Sequence, residues 1–280
     1  MACKHCAPPQ RAAHGRRWTS YNETATLALS RLPDEAAHAI VADPPYGTGA
    51  NGTASRLAPT SAKYQNSETK NKLPDFDGDS LLPEAWQALI REVLAQAYRV
   101  AKPGADLLLF CDWRSMPSLL GLVGAARFHL RSCVVWDKGR GARPNRNGFR
   151  SQSEFILHAR KPGKLERGAD VYLDGVLNYS TIQRDKQHVT QKPVALMADL
   201  LRLVPAGGTV VDPFQGSGTT GVAAIAAGLS YIGCESVEHY HHVAVDRLTA
   251  AEADRRTVVP TVSPCNAVAP TASPEATNQE

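Results

Sequence analysis

Asp43-Pro44-Pro45-Tyr46 puts a carboxylate, a carbonyl and an aromatic ring within four residues. Its two prolines fix φ and donate no backbone hydrogen bond, so the turn is stiff and the Pro44 carbonyl is free to face a ligand. Two acceptors beside a stacking ring suit a planar heterocycle with an exocyclic amino group. The preceding run, Ala39-Ile40-Val41-Ala42, predicts a buried strand that ends at the motif. A strand-ending proline turn with an incidental tyrosine would look the same in isolation, and only context separates the two.

A second group with chemical potential is Asp212-Pro213-Phe214-Gln215-Gly216-Ser217-Gly218-Thr219-Thr220. Glycines between a strand and a helix let the backbone approach a ligand, and the helix start offers free N–H groups to an anion. No lysine precedes the threonine pair, so this is not a Walker A loop. Glu235 follows Gly216 by 19 residues at the end of the next apolar run, where an acid accepts from ribose hydroxyls. The ligand implied is a nucleoside with a small anionic group.

The elements that must position these motifs alternate along the chain. Helical spacing is expected over 84–100, 115–126, 193–204, 217–228 and 236–254, with Pro103-Gly104 stopping the first helix. Strands are expected at 106–110, 133–136, 154–158, 209–211 and 231–234. Continuous apolar strands alternating with amphipathic helices predict an α/β fold, with a mostly parallel twisted sheet and helices on both faces. Residues 1–16 are expected to be a flexible N-terminus, 48–80 a mobile loop, and 257–280 a disordered tail carrying four prolines. That leaves 17–256 as the folded domain.

At 280 residues, 43% hydrophobic and 21% charged, the composition is that of a soluble globular chain. No run approaches the roughly 18 apolar residues of a membrane span. The N-terminus lacks the apolar core of a signal peptide, so the cytoplasm is the expected location. Net charge is only +4, but Lys138, Arg140, Arg143, Arg146 and Arg150 fall in one stretch without an acid. Such a stretch suits phosphate contact. Lys161, Lys164, Arg167, Arg184 and Lys186 extend it over 160–188.

Six scattered cysteines exclude a disulfide scaffold. Cys111, Cys133 and Cys234 are expected to be buried thiols. Cys3 and Cys6, with His5 and His14 nearby, form only part of a zinc set. His239, His241 and His242 fall on one helix expected to lie at the surface. No metal is assigned to either group. Asp112-Trp113-Arg114 is expected to cap a strand end, and Asp77 and Asp79 to be solvated turn residues.

The order of these blocks resembles the S-adenosylmethionine-dependent DNA amino-methyltransferases in their circularly permuted (beta) arrangement, where Asp-Pro-Pro-Tyr precedes the cofactor loop. Here the two lie about 170 residues apart. Thr190-Gln191-Lys192-Pro193 resembles the family segment just upstream of that loop. Trp136-Asp137-Lys138-Gly139 and Glu154-Phe155-Ile156-Leu157 also resemble family members. The likeness covers residues 17–250. Two departures are His188-Val189, where the family often has His-Pro, and Asn22, where it often has an acid near the cofactor adenine.

The resemblance implies a Rossmann-like methyltransferase fold and S-adenosylmethionine as cofactor. Asp212, Phe214, Gly216, Ser217, Gly218 and Thr219 would surround it, with Thr190 and Lys192 near its methionine portion. Glu235 would hold the ribose, and Asn22 stands near the adenine. Asp43, Pro44 and Tyr46 would hold a target base flipped out of double-stranded DNA. An aspartate in the first motif position implies N6 of adenine, whereas a serine usually accompanies N4 of cytosine. The alternatives are N4-cytosine methylation, a non-catalytic DNA-binding regulator on the same fold, and methylation of RNA or of a protein amide, for which the motif typically begins with Asn. Segment 138–188 would contact DNA and read its sequence. No membrane partner is expected, and a homodimer is an open alternative to the monomer.

Overall fold

The computed structural model describes residues 12–46, 81–142, 146–181 and 191–254. The expectations for Cys3 and Cys6, for Asp77 and Asp79 in loop 48–80, for Arg143, Arg184, Lys186 and Thr190, and for the C-terminal tail lie outside these residues.

One nine-stranded sheet organises the chain, in the order β1-β2-β9-β8-β3-β4-β6-β5-β7. The strands are β1 (Ala12–His14), β2 (Trp18–Tyr21), β3 (Ala37–Ala42), β4 (Ala101–Cys111), β5 (His129–Asp137), β6 (Ser153–Arg160), β7 (Val176–Asn178), β8 (Thr209–Asp212) and β9 (Ser230–Cys234). Strands β2, β9, β8, β3, β4, β5 and β7 share one direction, and β1 and β6 run against them. The expected mostly parallel α/β sheet is therefore present.

The helices are α1 (Ala25–Arg31), α2 (Pro83–Val100), α3 (Met116–Ala125), α4 (Val194–Leu201), α5 (Thr219–Ala226) and α6 (Glu238–Ala253). Alternation along the strands splits the core into two layers. On β3, Ile40 and Ala42 face a layer with Leu29, Trp86, Ile90 and Leu119 from α1–α3. Ala39 and Val41 face another with Leu196, Leu200, Ile225 and Leu248 from α4–α6. Covering both faces explains the apolar runs at 39–42, 107–111 and 210–211 in β3, β4 and β8.

This topology brings the two motifs together. From β3 the chain moves outward through β4, whereas β8 and β9 lie on the other side of β3. Ala39 pairs with Val210 and Ile40 with Val211, so Asp43 and Asp212 leave adjacent parallel strands at the same edge. Such a switch point at the carboxyl ends of strands is where open α/β sheets place ligands.

Several expectations are corrected. Ala12–His14 pair with β2, so order begins inside the segment expected to be flexible. Helix α2 ends at Val100, before Pro103-Gly104, which lie within β4. There Ala37 pairs with Ala101 but Ala39 with Asp106, so residues 102–105 bulge out and Gly104 takes a positive φ of 78°. Cys133 is exposed, because it lies in the first half of β5, where residues 129–133 are all exposed. Helix α6 is not a surface helix throughout: His241 is buried, and its Nδ1 lies 3.1 Å from Ser20 Oγ.

The basic residues at 161 and 167 serve the opposite edge. Asp106 is fully buried, with His158 Nε2 at 2.9 Å, Arg160 Nε at 2.8 Å and Arg167 Nη1 at 2.8 Å. These partners outweigh burial and hold its carboxyl below the usual range. Lys161 donates to Ala101 O at 2.7 Å. Asp106 is five residues before Cys111 on β4, roughly 16 Å from the edge that carries Asp43. Lys161 and Arg167 therefore lock the fold at that end and do not face the site; Lys164 is exposed and paired with Glu166 at 2.9 Å.

Candidate active site

Asp43 follows β3 directly, and Trp86 on α2 holds the turn by donating to Pro45 O at 2.6 Å. The Tyr46 hydroxyl lies 3.0 Å from Asp43 Oδ1 and 3.1 Å from Glu154 Oε2; it can donate to one at a time. Lys192 Nζ lies 2.6 Å from Asp43 Oδ2 and 3.4 Å from Glu154 Oε2. Lys138 Nζ donates to Glu154 Oε1 at 3.1 Å. The Lys192 ammonium also sits over the rings of Phe110, Tyr46 and Trp136, at 5.3, 5.7 and 6.0 Å from their centroids.

Two carboxylates and two ammoniums thus share one partly sealed cluster. Burial raises the Asp43 carboxyl above its usual range, with Lys192 pulling the other way. At Glu154 the balance reverses: burial opposes ionisation, but Lys192 and Lys138 together hold its carboxyl low. Asp43 and Glu154 outweigh burial at Lys192 and raise its ammonium. The cluster gives Asp43 hydrogen-bond acceptor oxygens in a partly buried setting, where they interact with a developing positive charge more strongly than in water.

The second half of the site opens from β8. Gly216 and Gly218 adopt positive φ of 51° and 77°, which turns the loop sharply before α5. A Cβ on Gly218 would stand 3.0 Å from Ala244 Cβ, so the loop packs closely on α6. Asp212 is buried, accepts from Phe214 N at 3.0 Å, and is pushed by burial to about 7. Glu235 Oε2 accepts from Gly216 N at 3.1 Å and Oε1 from Val237 N at 2.8 Å. Burial raises the Glu235 carboxyl and these N–H groups oppose it. Asn22 donates to Glu235 O at 2.9 Å, so it stands where the loop and β9 meet. Ser217 and Thr219 are buried, and Arg247 on α6 holds Ser217 Oγ at 3.0 Å and Thr219 Oγ1 at 3.3 Å.

The basic stretch begins at the cluster. Lys138 is drawn inward by Glu154. Arg150 ties the loop by donating to Arg140 O at 2.9 Å and to Ala142 O. Arg140 and Arg146 are exposed, and Phe149 between them and β6 is 97% exposed. Asp112 caps the end of β4, accepting from Ser115 N at 2.8 Å and Arg114 Nε at 2.7 Å; the neighbouring Trp113 is largely exposed. Among the described residues, no group of three or more His, Cys, Asp or Glu could hold a metal ion, and no helix is long and apolar enough to cross a membrane.

The family resemblance puts Lys192 near the methionine portion of the cofactor; in the structure its ammonium meets Asp43. Reading by sequence also missed Glu154 as a member of the site, although an acid opening an apolar strand was a usable signal. In β6 it pairs with Trp136, at the same edge as Asp43. Arg247 and the buried chain from Gln215 Nε2 to Ser20 Oγ, 2.6 Å, and on to His241 were missed too.

Residues 37–246 match the model of a protein family described as DNA methylase, spanning N6 and N4 methyltransferases. The chain belongs to this family. Type II methyltransferase M.HindIII of Haemophilus influenzae is 27% identical over 290 residues, covering 81% of this chain and 94% of that protein. DNA adenine methyltransferase YhdJ of Escherichia coli is 26% identical over 266 residues, covering 81% of each. Two solved structures share the fold. The M1.HpyAVI-SAM complex has a TM-score of 0.60 at 23% identity, covering 82% of this chain and 98% of that one. PvuII DNA methyltransferase (cytosine-N4-specific) has a TM-score of 0.59 at 14% identity, covering 85% and 92%.

Proposed function

We propose that this protein transfers a methyl group from S-adenosylmethionine to the exocyclic N6 of an adenine flipped out of double-stranded DNA. The observation that carries the reading is the departure of Asp43 and of the Asp212–Thr220 loop from adjacent parallel strands at one edge. A base holder and a nucleoside holder thereby share one crevice.

The residues suit the cofactor. Positive-φ glycines let the backbone come close to a ligand, and an acid at the end of the next strand matches ribose hydroxyls. Glu235 and Asn22 would hold the nucleoside end, and Asp212, Phe214, Gly216, Ser217, Gly218 and Thr219 the remainder. When bound, S-adenosylmethionine supplies an electrophilic methyl group on a sulfonium.

The work of the chain is done by Asp43, Pro44 and Tyr46. A base amino group is a weak nucleophile because its lone pair delocalises into the ring. Accepting its N–H groups at the Asp43 carboxylate and the Pro44 carbonyl favours a pyramidal nitrogen and stabilises the positive charge that develops there. Asp43, lifted by burial, is suited to take the surplus proton afterwards. Tyr46 offers its ring to the extruded base, which is beyond reach inside a duplex. Exposed Arg140 and Arg146 would meet phosphates beside the crevice.

Adenine is favoured over cytosine by Asp43 in the first motif position and by the likeness to DNA adenine methyltransferase YhdJ. The test is incubation with labelled S-adenosylmethionine and unmethylated genomic DNA. Label should enter DNA with the wild type and not with Asp43→Ala; incorporation unaffected by that substitution would refute the mechanism.

A further inference from the structure

Asp43 presents two oxygens, and each has a donor within reach. The Tyr46 hydroxyl lies 3.0 Å from Oδ1, and the Lys192 ammonium lies 2.6 Å from Oδ2. Each oxygen keeps a second lone pair for a target N–H, but an ammonium 2.6 Å from Oδ2 weakens it as an acceptor and repels the positive charge that develops on the target nitrogen. Lys192 is only 8% exposed in its side chain, so an ammonium leaving Asp43 without another carboxylate would be a stranded buried charge, which is strongly unfavourable.

Glu154 removes that obstacle. Its Oε2 lies 3.4 Å from Lys192 Nζ and 3.1 Å from the Tyr46 hydroxyl. Each group that occupies Asp43 therefore has the same second partner within reach. Closing the Lys192 gap to a charge-assisted hydrogen bond takes a movement of less than about 1 Å. Lys138, 3.1 Å from Oε1, anchors Glu154 from the other side and keeps it ionised. With two carboxylates and two ammoniums the cluster stays neutral whichever acid Lys192 prefers.

We propose that Glu154 is a positioning residue for methyl transfer: it takes the Lys192 ammonium from Asp43 as the target amino group enters, leaving Asp43 Oδ2 the stronger acceptor for an N–H. The inference rests on the methyltransferase reading above.

The test compares Glu154→Gln, Glu154→Asp, Lys192→Met and the Glu154→Gln/Lys192→Met double variant in single-turnover methyl transfer to duplex DNA. Glu154→Gln keeps the shape and loses the charge. It should slow transfer at least about tenfold while S-adenosylmethionine affinity, read by calorimetry, stays within about twofold. Glu154→Asp should recover most of the rate, and it serves as the informative variant where Glu154→Gln folds poorly. The double variant should be no slower than Lys192→Met, because Glu154 acts through Lys192. A wild-type rate in Glu154→Gln would overturn the proposal. So would equal losses in Glu154→Gln and Glu154→Asp that add to the loss in Lys192→Met, the mark of a structural role. Absence of any transfer by the wild type would instead overturn the reading on which the proposal rests.

Discussion

Replacing Asp212 by asparagine should flatten the pH dependence of folding stability. Asp212 ends β8 with 3% of its surface exposed. Burial raises its carboxyl from 3.8 to about 7, against hydrogen bonds from Thr220 and the Phe214 N–H. The folded protein therefore keeps a proton that the unfolded chain releases, so stability falls as pH rises between 3.8 and about 7. A shift of this size corresponds to about 4 kcal/mol in all, of which about 3 kcal/mol falls above pH ~5. Asparagine keeps a carbonyl for the Phe214 N–H and has no proton to lose. Urea unfolding of both proteins at steps from about pH 5 to about pH 8 isolates the effect, since other titrating groups are common to both. The gap between the curves should move in favour of Asp212→Asn by about 3 kcal/mol over that range. Parallel curves would refute the burial argument.

Three further outcomes are expected. A Cβ at Gly233 would stand 2.1 Å from Gln215 Oε1 and 2.5 Å from the Tyr231 hydroxyl. Gly233→Ala should therefore cost about 1–3 kcal/mol in urea unfolding and weaken S-adenosylmethionine about tenfold in calorimetry by displacing the loop. Asp106→Ala leaves Arg160, Arg167 and His158 facing an empty partner, so unfolding should become easier by about 3–5 kcal/mol with cofactor affinity unchanged below the transition. Arg140→Ala with Arg146→Ala should weaken DNA binding and reduce the slope of log K against log salt by about 2 in a fluorescence titration.

How much was legible in the sequence follows from the range of the interactions. The central parts of β3, β4 and β8, residues 39–42, 107–111 and 210–211, were readable because burial on both faces makes them apolar. Asp43 and Asp212 stood out because each sits at a strand end beside a turn residue that only proline or glycine explains. Strand β2 was not readable. Its Ser20 is fully buried, and its hydroxyl meets Gln215 and His241, 195 and 221 residues away. A polar residue satisfied at such distance looks like a loop residue. Strand β7 has three residues and exists by pairing with β5. Lys192 was identified but its partner was not, because Asp43 lies 149 residues upstream. Lys161 and Arg167 looked like nucleic-acid readers only because charge patterning does not reveal a buried Asp106.

The most direct test of the account is nucleoside mass spectrometry of duplex DNA after incubation with the protein and S-adenosylmethionine. The account predicts N6-methyladenine, dependent on the cofactor and lost in Asp43→Ala. N4-methylcytosine alone would contradict the adenine assignment, and unmodified DNA would contradict the central claim.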